Sequence, residues 1–194
     1  QEFAASSPFF FFADHQPELA QLVSQGRVEF LSQFQGIATP EMQAYLPDPA
    51  DPETFERSKL DFSEREQHAE MYQLHRDLLQ LRREDAVFRA QRRGGVDGAV
   101  LGPEAFVLRF FGENGQDRLL LVNLGLALAL SPVPEPLLAP PEGMQWETGW
   151  SSEEPQYGGG GTPPLETEEH WQIPGQAAVV LTPHERENAP EDSQ

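Results

Sequence analysis

Asp14-His15 sets a carboxylate beside an imidazole at the end of an apolar run, Phe9-Phe10-Phe11-Phe12-Ala13. An imidazole titrates near neutrality, so such a pair could bind a polar ligand or relay a proton. The alternative is that Asp14 only satisfies backbone donors in a turn. His68 and His75 stand seven residues apart. Two helical metal ligands want a spacing of about four, so packing roles are expected for both. Gly158 to Gly161 lack the Lys-Ser/Thr of a phosphate loop and do not open a helix; they read as a hairpin or linker. Trp146 and Trp150 share a face if their strand is regular. Such a face either stacks on sugar or belongs to a core. Zero cysteines exclude thiolate nucleophiles, disulfides and Cys-based zinc or iron–sulfur sites. No Ser/His/Asp set and no metal cluster stands out.

The elements that would hold these residues fall into two regimes. Pro17 suits the first turn of a helix, and Leu19, Leu22 and Val23 recur at helical spacing until Gly26. A second short helix is expected over residues 27–34. The four prolines between Pro40 and Pro52 predict irregular chain. Ser63 and Glu66 match a capping box. Met71, Leu74, Leu78 and Leu81 then build an apolar stripe, which predicts a helix over 64–83. A further turn is expected at 86–89, ended by Gly94-Gly95. Beyond Gly94 the period becomes that of sheet. Strands are predicted at 106–111, 118–123, 126–130, 144–150 and 176–181, with Gly/Pro turns between them. That pattern points to an antiparallel sandwich or partly open barrel, with 183–194 as an acidic flexible tail.

Charge follows the same division. The 194 residues carry 13 Lys+Arg against 32 Asp+Glu, a net −19. Residues 1–56 balance at −8, residues 57–93 at +2, and residues 94–194 at −13. So acidic a chain is not a phosphate-tracking nucleic-acid binder, which needs clustered Lys/Arg. The bases Arg76, Arg82, Arg83, Arg89, Arg92 and Arg93 are interleaved with Glu70, Asp77, Glu84 and Asp85, which favours salt-bridged packing over a basic patch. The Phe run is far shorter than the roughly 20 residues of a membrane span. The chain starts at Gln1 without an initiator Met or a secretory leader. A cytoplasmic location is expected. At roughly 250 residues, a complete (β/α)8 barrel would not fit.

Two blocks carry a resemblance. Gln1-Glu2-Phe3-Ala4-Ala5-Ser6-Ser7-Pro8 through Asp14-His15 resembles the stretch after the last barrel strand in malto-oligosyltrehalose trehalohydrolases, α-amylase-type glycoside hydrolases. Pro47-Asp48-Pro49, followed by Thr54-Phe55-Glu56-Arg57-Ser58-Lys59-Leu60-Asp61-Phe62, is similar to that family's PDP…TFxxSKLDW signature, with Phe62 at the usual Trp. The helix with His68-Ala69-Glu70-Met71 and Leu78 to Arg83 resembles the one that closes the family's barrel. The resemblance covers about residues 1–85 and implies an α+β fragment. Residues 1–93 would be the end of a catalytic (β/α)8 barrel, its last loop and closing helices, and 94–194 a C-terminal antiparallel β-sandwich.

The resemblance also implies a reaction: a retaining hydrolase that cleaves the α-1,4 bond next to the terminal trehalose of maltooligosyl trehalose. Its aspartate nucleophile and glutamic acid/base would stand about 5–5.5 Å apart. A second aspartate stabilises the transition state, and no cofactor or metal is implied. All three carboxylates lie upstream of Gln1 in the family pattern, so no catalytic residue is expected here, and Glu2 is not one. The implied partners are the upstream barrel portion and the maltooligosyl trehalose substrate, with no nucleic acid and no membrane. Asp14 and His15 would sit on the strand-C-terminal side of the barrel, where substrate binds. Two rival readings use the same residues: a carbohydrate-binding sandwich displaying Trp146, Trp150 and Trp171, and a purely structural domain.

Overall fold

The computed structural model describes residues 1–131, 135–167 and 170–186. The chain divides into two units, Gln1–Ala69 and Glu70–Gln194.

The first unit is helical and irregular. One helix, α1 (Pro17–Leu31), replaces the two short ones expected, with Gly26 inside it. Pro17 opens it, because a missing N–H costs nothing in the first turn. Short helices α2 (Pro40–Gln43) and α3 (Pro52–Ser58) follow. Both begin at a proline, so the proline-rich stretch starts helices as well as breaking them. Thr39 and Asp51 cap them by accepting the amides of Met42 and Glu53. The capping box at Ser63 does not form. Asp61 Oδ1 instead takes the amide and hydroxyl of Ser63, at 2.9 and 2.6 Å. The expected long helix is also two, α4 (Glu64–Gln67) and α5 (Ala69–Glu84), broken at His68 with φ −110° and ψ 42°.

The second unit contains most of α5, then α6 (Ala86–Ala90) and the sheets. Asp85 caps α6 through Oδ1, which accepts the Val87 and Phe88 amides. Its Oδ2 accepts Arg118 Nε at 2.8 Å and so ties the helix to the sheet. Arg118, not the interleaved arginines of the helix, is therefore the partner of this carboxylate. Phe88 meets Phe110 edge-on at 4.9 Å.

Seven strands are present among the described residues: β1 (Val96–Gly102), β2 (Ala105–Phe110), β3 (Arg118–Asn123), β4 (Leu128–Leu130), β5 (Met144–Ser151), β6 (Trp171–Ile173) and β7 (Ala177–Glu185). An antiparallel sheet runs in the order β1-β2-β3-β7-β5, and β4 pairs with β6. The fold is thus mixed α/β with an antiparallel sheet. Alternate residues face one core: Val107, Leu119, Leu121, Val179 and Leu181 from the large sheet join Trp171 and Ile173 from the small one. Asn123, at the end of β3, is buried but satisfied. Its amide donates to the carbonyls of Leu126 and Pro174, and its oxygen accepts the Gly125 amide.

Two differences from the sequence reading matter. Pro183 to Glu185 are not tail: they extend β7 against Met144 to Trp146. Residues 187–194 of the expected tail lie outside the described residues. Trp146 and Trp150 do not share a face, because β5 carries an irregularity between Thr148 and Trp150. Trp146 sits opposite Pro183 and packs on the core, while Trp150 sits opposite Val180 on the other side of the sheet. Gly149 permits the close approach; a Cβ there would lie 2.8 Å from Thr182 Cγ2.

Candidate functional site

In the first unit, the two motif blocks fold onto each other. Glu64 accepts both the Ser6 amide (2.7 Å) and the Ser6 hydroxyl (2.5 Å). Those two bonds favour the ionised carboxylate, hydroxyl first, and hold its pKa below the usual carboxylate range. Asp61 is lowered in the same sense by the Ser63 hydroxyl and amide. Ser7 Oγ donates to the Lys59 carbonyl, and Ser58 Oγ accepts the Phe10 amide. The Ala13 amide donates to the Pro49 carbonyl at 2.9 Å, immediately before Asp14. Rings and cations complete the seam: Phe3 meets Phe62, Phe12 meets Phe55, and Arg57 lies 4.6 Å from the Phe10 ring centroid.

His68 belongs to this seam. Its Nδ1 lies 2.7 Å from the Phe3 carbonyl and must donate, since a carbonyl only accepts. His75 Nδ1 likewise donates to the Met71 carbonyl. Both histidines bind backbone.

Asp14 and His15 end the tethered segment, one residue before α1. Both side chains are exposed, and neither makes a hydrogen bond or ion pair among the described residues. Asp14 is therefore not occupied with turn amides. The pair is positioned by backbone alone, with the His15 amide on the Ala13 carbonyl at 3.1 Å.

In the second unit, Tyr157 joins a helix to the sheet. Its hydroxyl donates to Asp77 Oδ2 at 2.7 Å and accepts from Trp150 Nε1 at 3.1 Å. Burial, then the bond to Asp77, pushes the phenol's pKa up. Gly158 follows at φ +83°, where a Cβ would also meet the Glu70 carboxylate at 2.9 Å. Trp150 and Trp171 are only 8% and 6% exposed. They are core residues and not a sugar-stacking platform. Trp146 alone of the three is half-buried and lines a groove between β5 and residues 162–167.

No helix among the described residues is long and apolar enough to cross a membrane.

The sheet-bearing region matches a recognised family. Residues 93–180 fit a domain of unknown function, DUF3459, which is the C-terminal domain of α-amylase-type enzymes. Over 127 residues the chain is 42% identical to a malto-oligosyltrehalose trehalohydrolase of Deinococcus radiodurans, spanning 64% of this chain and 20% of that protein. A protein of the same name from Mycobacterium tuberculosis is 42% identical over 89 residues, 44% of this chain and 14% of its own. The chain thus spans a fifth or less of these relatives. The resemblance read from the motifs is shown by this similarity. In fold, the chain is similar to a trehalose-6-phosphate hydrolase from Bacillus licheniformis, with a TM-score of 0.50 and 12% identity. That likeness covers 94% of this chain and 34% of the other.

Proposed function

We propose that this chain is the C-terminal part of a malto-oligosyltrehalose trehalohydrolase, with residues 1–93 ending a catalytic (β/α)8 barrel and residues 94–194 forming its sandwich domain. The observation that carries this reading is the apolar surface of the first unit. Of residues 1–69 only Phe3, Pro49 and Thr54 are buried. Phe9 is 93% exposed, and Leu22, Phe30, Phe34, Tyr45 and Phe62 are exposed with it. A contiguous chain with that many open rings is shaped to be covered by another polypeptide surface. The helix stripe agrees: Met71 and Leu78 are exposed, Leu74 and Leu81 half-buried. The cover is the rest of the barrel.

In the whole enzyme the aspartate nucleophile, the glutamic acid/base and the stabilising aspartate come from upstream. The reaction is hydrolysis of the α-1,4 bond next to the terminal trehalose, with retention through a covalent glycosyl intermediate. This chain supplies barrel closure, the sandwich, and at the barrel mouth Asp14 and His15 as contacts for a sugar hydroxyl. The exposure of both side chains at the end of a tethered segment supports that role. The enzyme works without cofactor or metal, in the cytoplasm. The test is trehalose release from maltotriosyl trehalose. The 194-residue chain alone releases none, and a protein extended upstream through the barrel does. Turnover by the chain alone overturns the reading.

A further inference from the structure

A groove beside β5 with a mixed lining has a volume of about 900 Å³. That places it in the size class of small-molecule sites, roughly 300–1,000 Å³. Leu165 and Leu181, both buried, join half-buried Trp146 as its apolar wall. Gln145, Glu147, Glu166 and Arg186 line it with planar polar groups. Trp146 is held in place without any ligand. Its Nε1 donates to the Leu138 carbonyl at 2.8 Å, and the Arg109 guanidinium lies 5.4 Å from the ring centroid. With the indole N–H already bonded, what the ring offers the groove is hydrocarbon.

We infer that this groove binds a stretch of α-1,4-linked glucan. A pyranose has an apolar C–H face and a rim of hydroxyls that both donate and accept. An indole with leucines beside it suits the face. A carboxamide, two carboxylates and a guanidinium suit the rim, since together they both accept and donate. Other ligand chemistries fit less well. A phosphate would meet Glu147 and Glu166 as well as Arg186, and no group of three or more metal-ligating side chains exists among the described residues. The choice of an α-glucan over other sugars rests on the function proposed above.

The experiment titrates the 194-residue chain with maltoheptaose, following tryptophan fluorescence and calorimetric heat, with cellohexaose as the control. Saturable binding of maltoheptaose is expected, and cellohexaose binds at least about tenfold more weakly. Glu166→Ala and Arg186→Ala, at the rim, weaken maltoheptaose about tenfold with the melting midpoint unchanged. Trp146→Phe keeps a ring in the core and weakens binding less than the rim variants combined. No saturable binding up to about 10 mM probe, or binding indifferent to both rim variants, overturns the inference. Equal binding of cellohexaose overturns the α-glucan assignment. Failure here with trehalose release intact in the extended protein leaves the proposed function standing. Binding here with no trehalose release in the extended protein leaves the groove and removes that function.

Discussion

Tyr157 and Asp77 are joined by a 2.7 Å hydrogen bond although 80 positions separate them. The bond sets α5 against the loop that follows β5. Asp77 is completed by Gln73 Nε2 on its other oxygen, and Tyr157 by the Trp150 indole N–H. Removing the hydroxyl leaves Trp150 Nε1 without its acceptor in a nearly closed site. Tyr157→Phe is therefore expected to cost about 1–3 kcal/mol, the range for a buried donor left unsatisfied. Urea unfolding with tryptophan fluorescence reads it as a lower midpoint at unchanged slope.

The same phenol makes an alkaline prediction. Its pKa is raised by burial and by Asp77, so folding favours the protonated form. The stability this contributes is whole below the unfolded tyrosine's value of about 10 and is lost as pH rises above it. Wild type should weaken above about pH 10 more steeply than Tyr157→Phe. Parallel curves would remove Tyr157 as the cause.

Arg109 and Asp117 form the best-sheltered ion pair among the described residues, at 2.8 Å with side chains 12% and 8% exposed. The guanidinium also donates to the Leu137 and Ala139 carbonyls, and Asp117 Oδ1 takes the Gly112 amide. Asp117→Ala strands a cation and an amide, at a cost of about 3–5 kcal/mol. The double variant Arg109→Met, Asp117→Leu should lose less than Asp117→Ala alone, since no buried charge is left unpaired. Denaturant midpoints of the three proteins decide it.

The strands β2, β3, β5 and β7 were legible because alternation of apolar residues is a local signal, and Arg118–Asn123 was placed to the residue. β1 was missed: Asp97, Gly98 and Ala99 are poor strand formers, and the β2 backbone holds them in the sheet. β6 was missed because three residues are too few to show a period. The tryptophan faces were misjudged for a different reason. One irregularity at Gly149 reverses the parity of everything after it, and nothing local announces that. The capping box at Ser63 lost to competitors outside its window, Asp61 for the hydroxyl and the helix break at His68. Both motif blocks could be read singly from sequence. Their contact through Ser6 and Glu64 is 58 positions long-range and could not.

That contact has an acid dependence. Glu64 and Asp61 are both held below the ordinary carboxylate range by serine hydroxyls and amides. Their contribution is present above that range and lost as pH falls through the lowered values. The segment before α1 should therefore loosen below about pH 4, ahead of the sheet. Amide exchange at Ser6 is the direct measurement. Glu64→Gln should exchange fast there at neutral pH as well, and slow exchange in that variant would show that the carboxylate does not hold the loop.

Asp14 and His15 invite a prediction that separates contact with substrate from a structural role. Neither side chain makes a hydrogen bond or ion pair among the described residues, while the backbone on either side is fixed by Ala13 on Pro49 and by the start of α1. Replacing the side chains should leave folding alone. In the enzyme extended through its barrel, Asp14→Asn and His15→Ala are each expected to lower kcat/KM about tenfold with melting unchanged, mainly through KM if the contact is to a sugar hydroxyl made equally in ground and transition states. A fall in kcat at constant KM would mean instead that the contact forms only in the transition state. Values within twofold of wild type would remove both residues from the substrate site and leave their exposure unexplained.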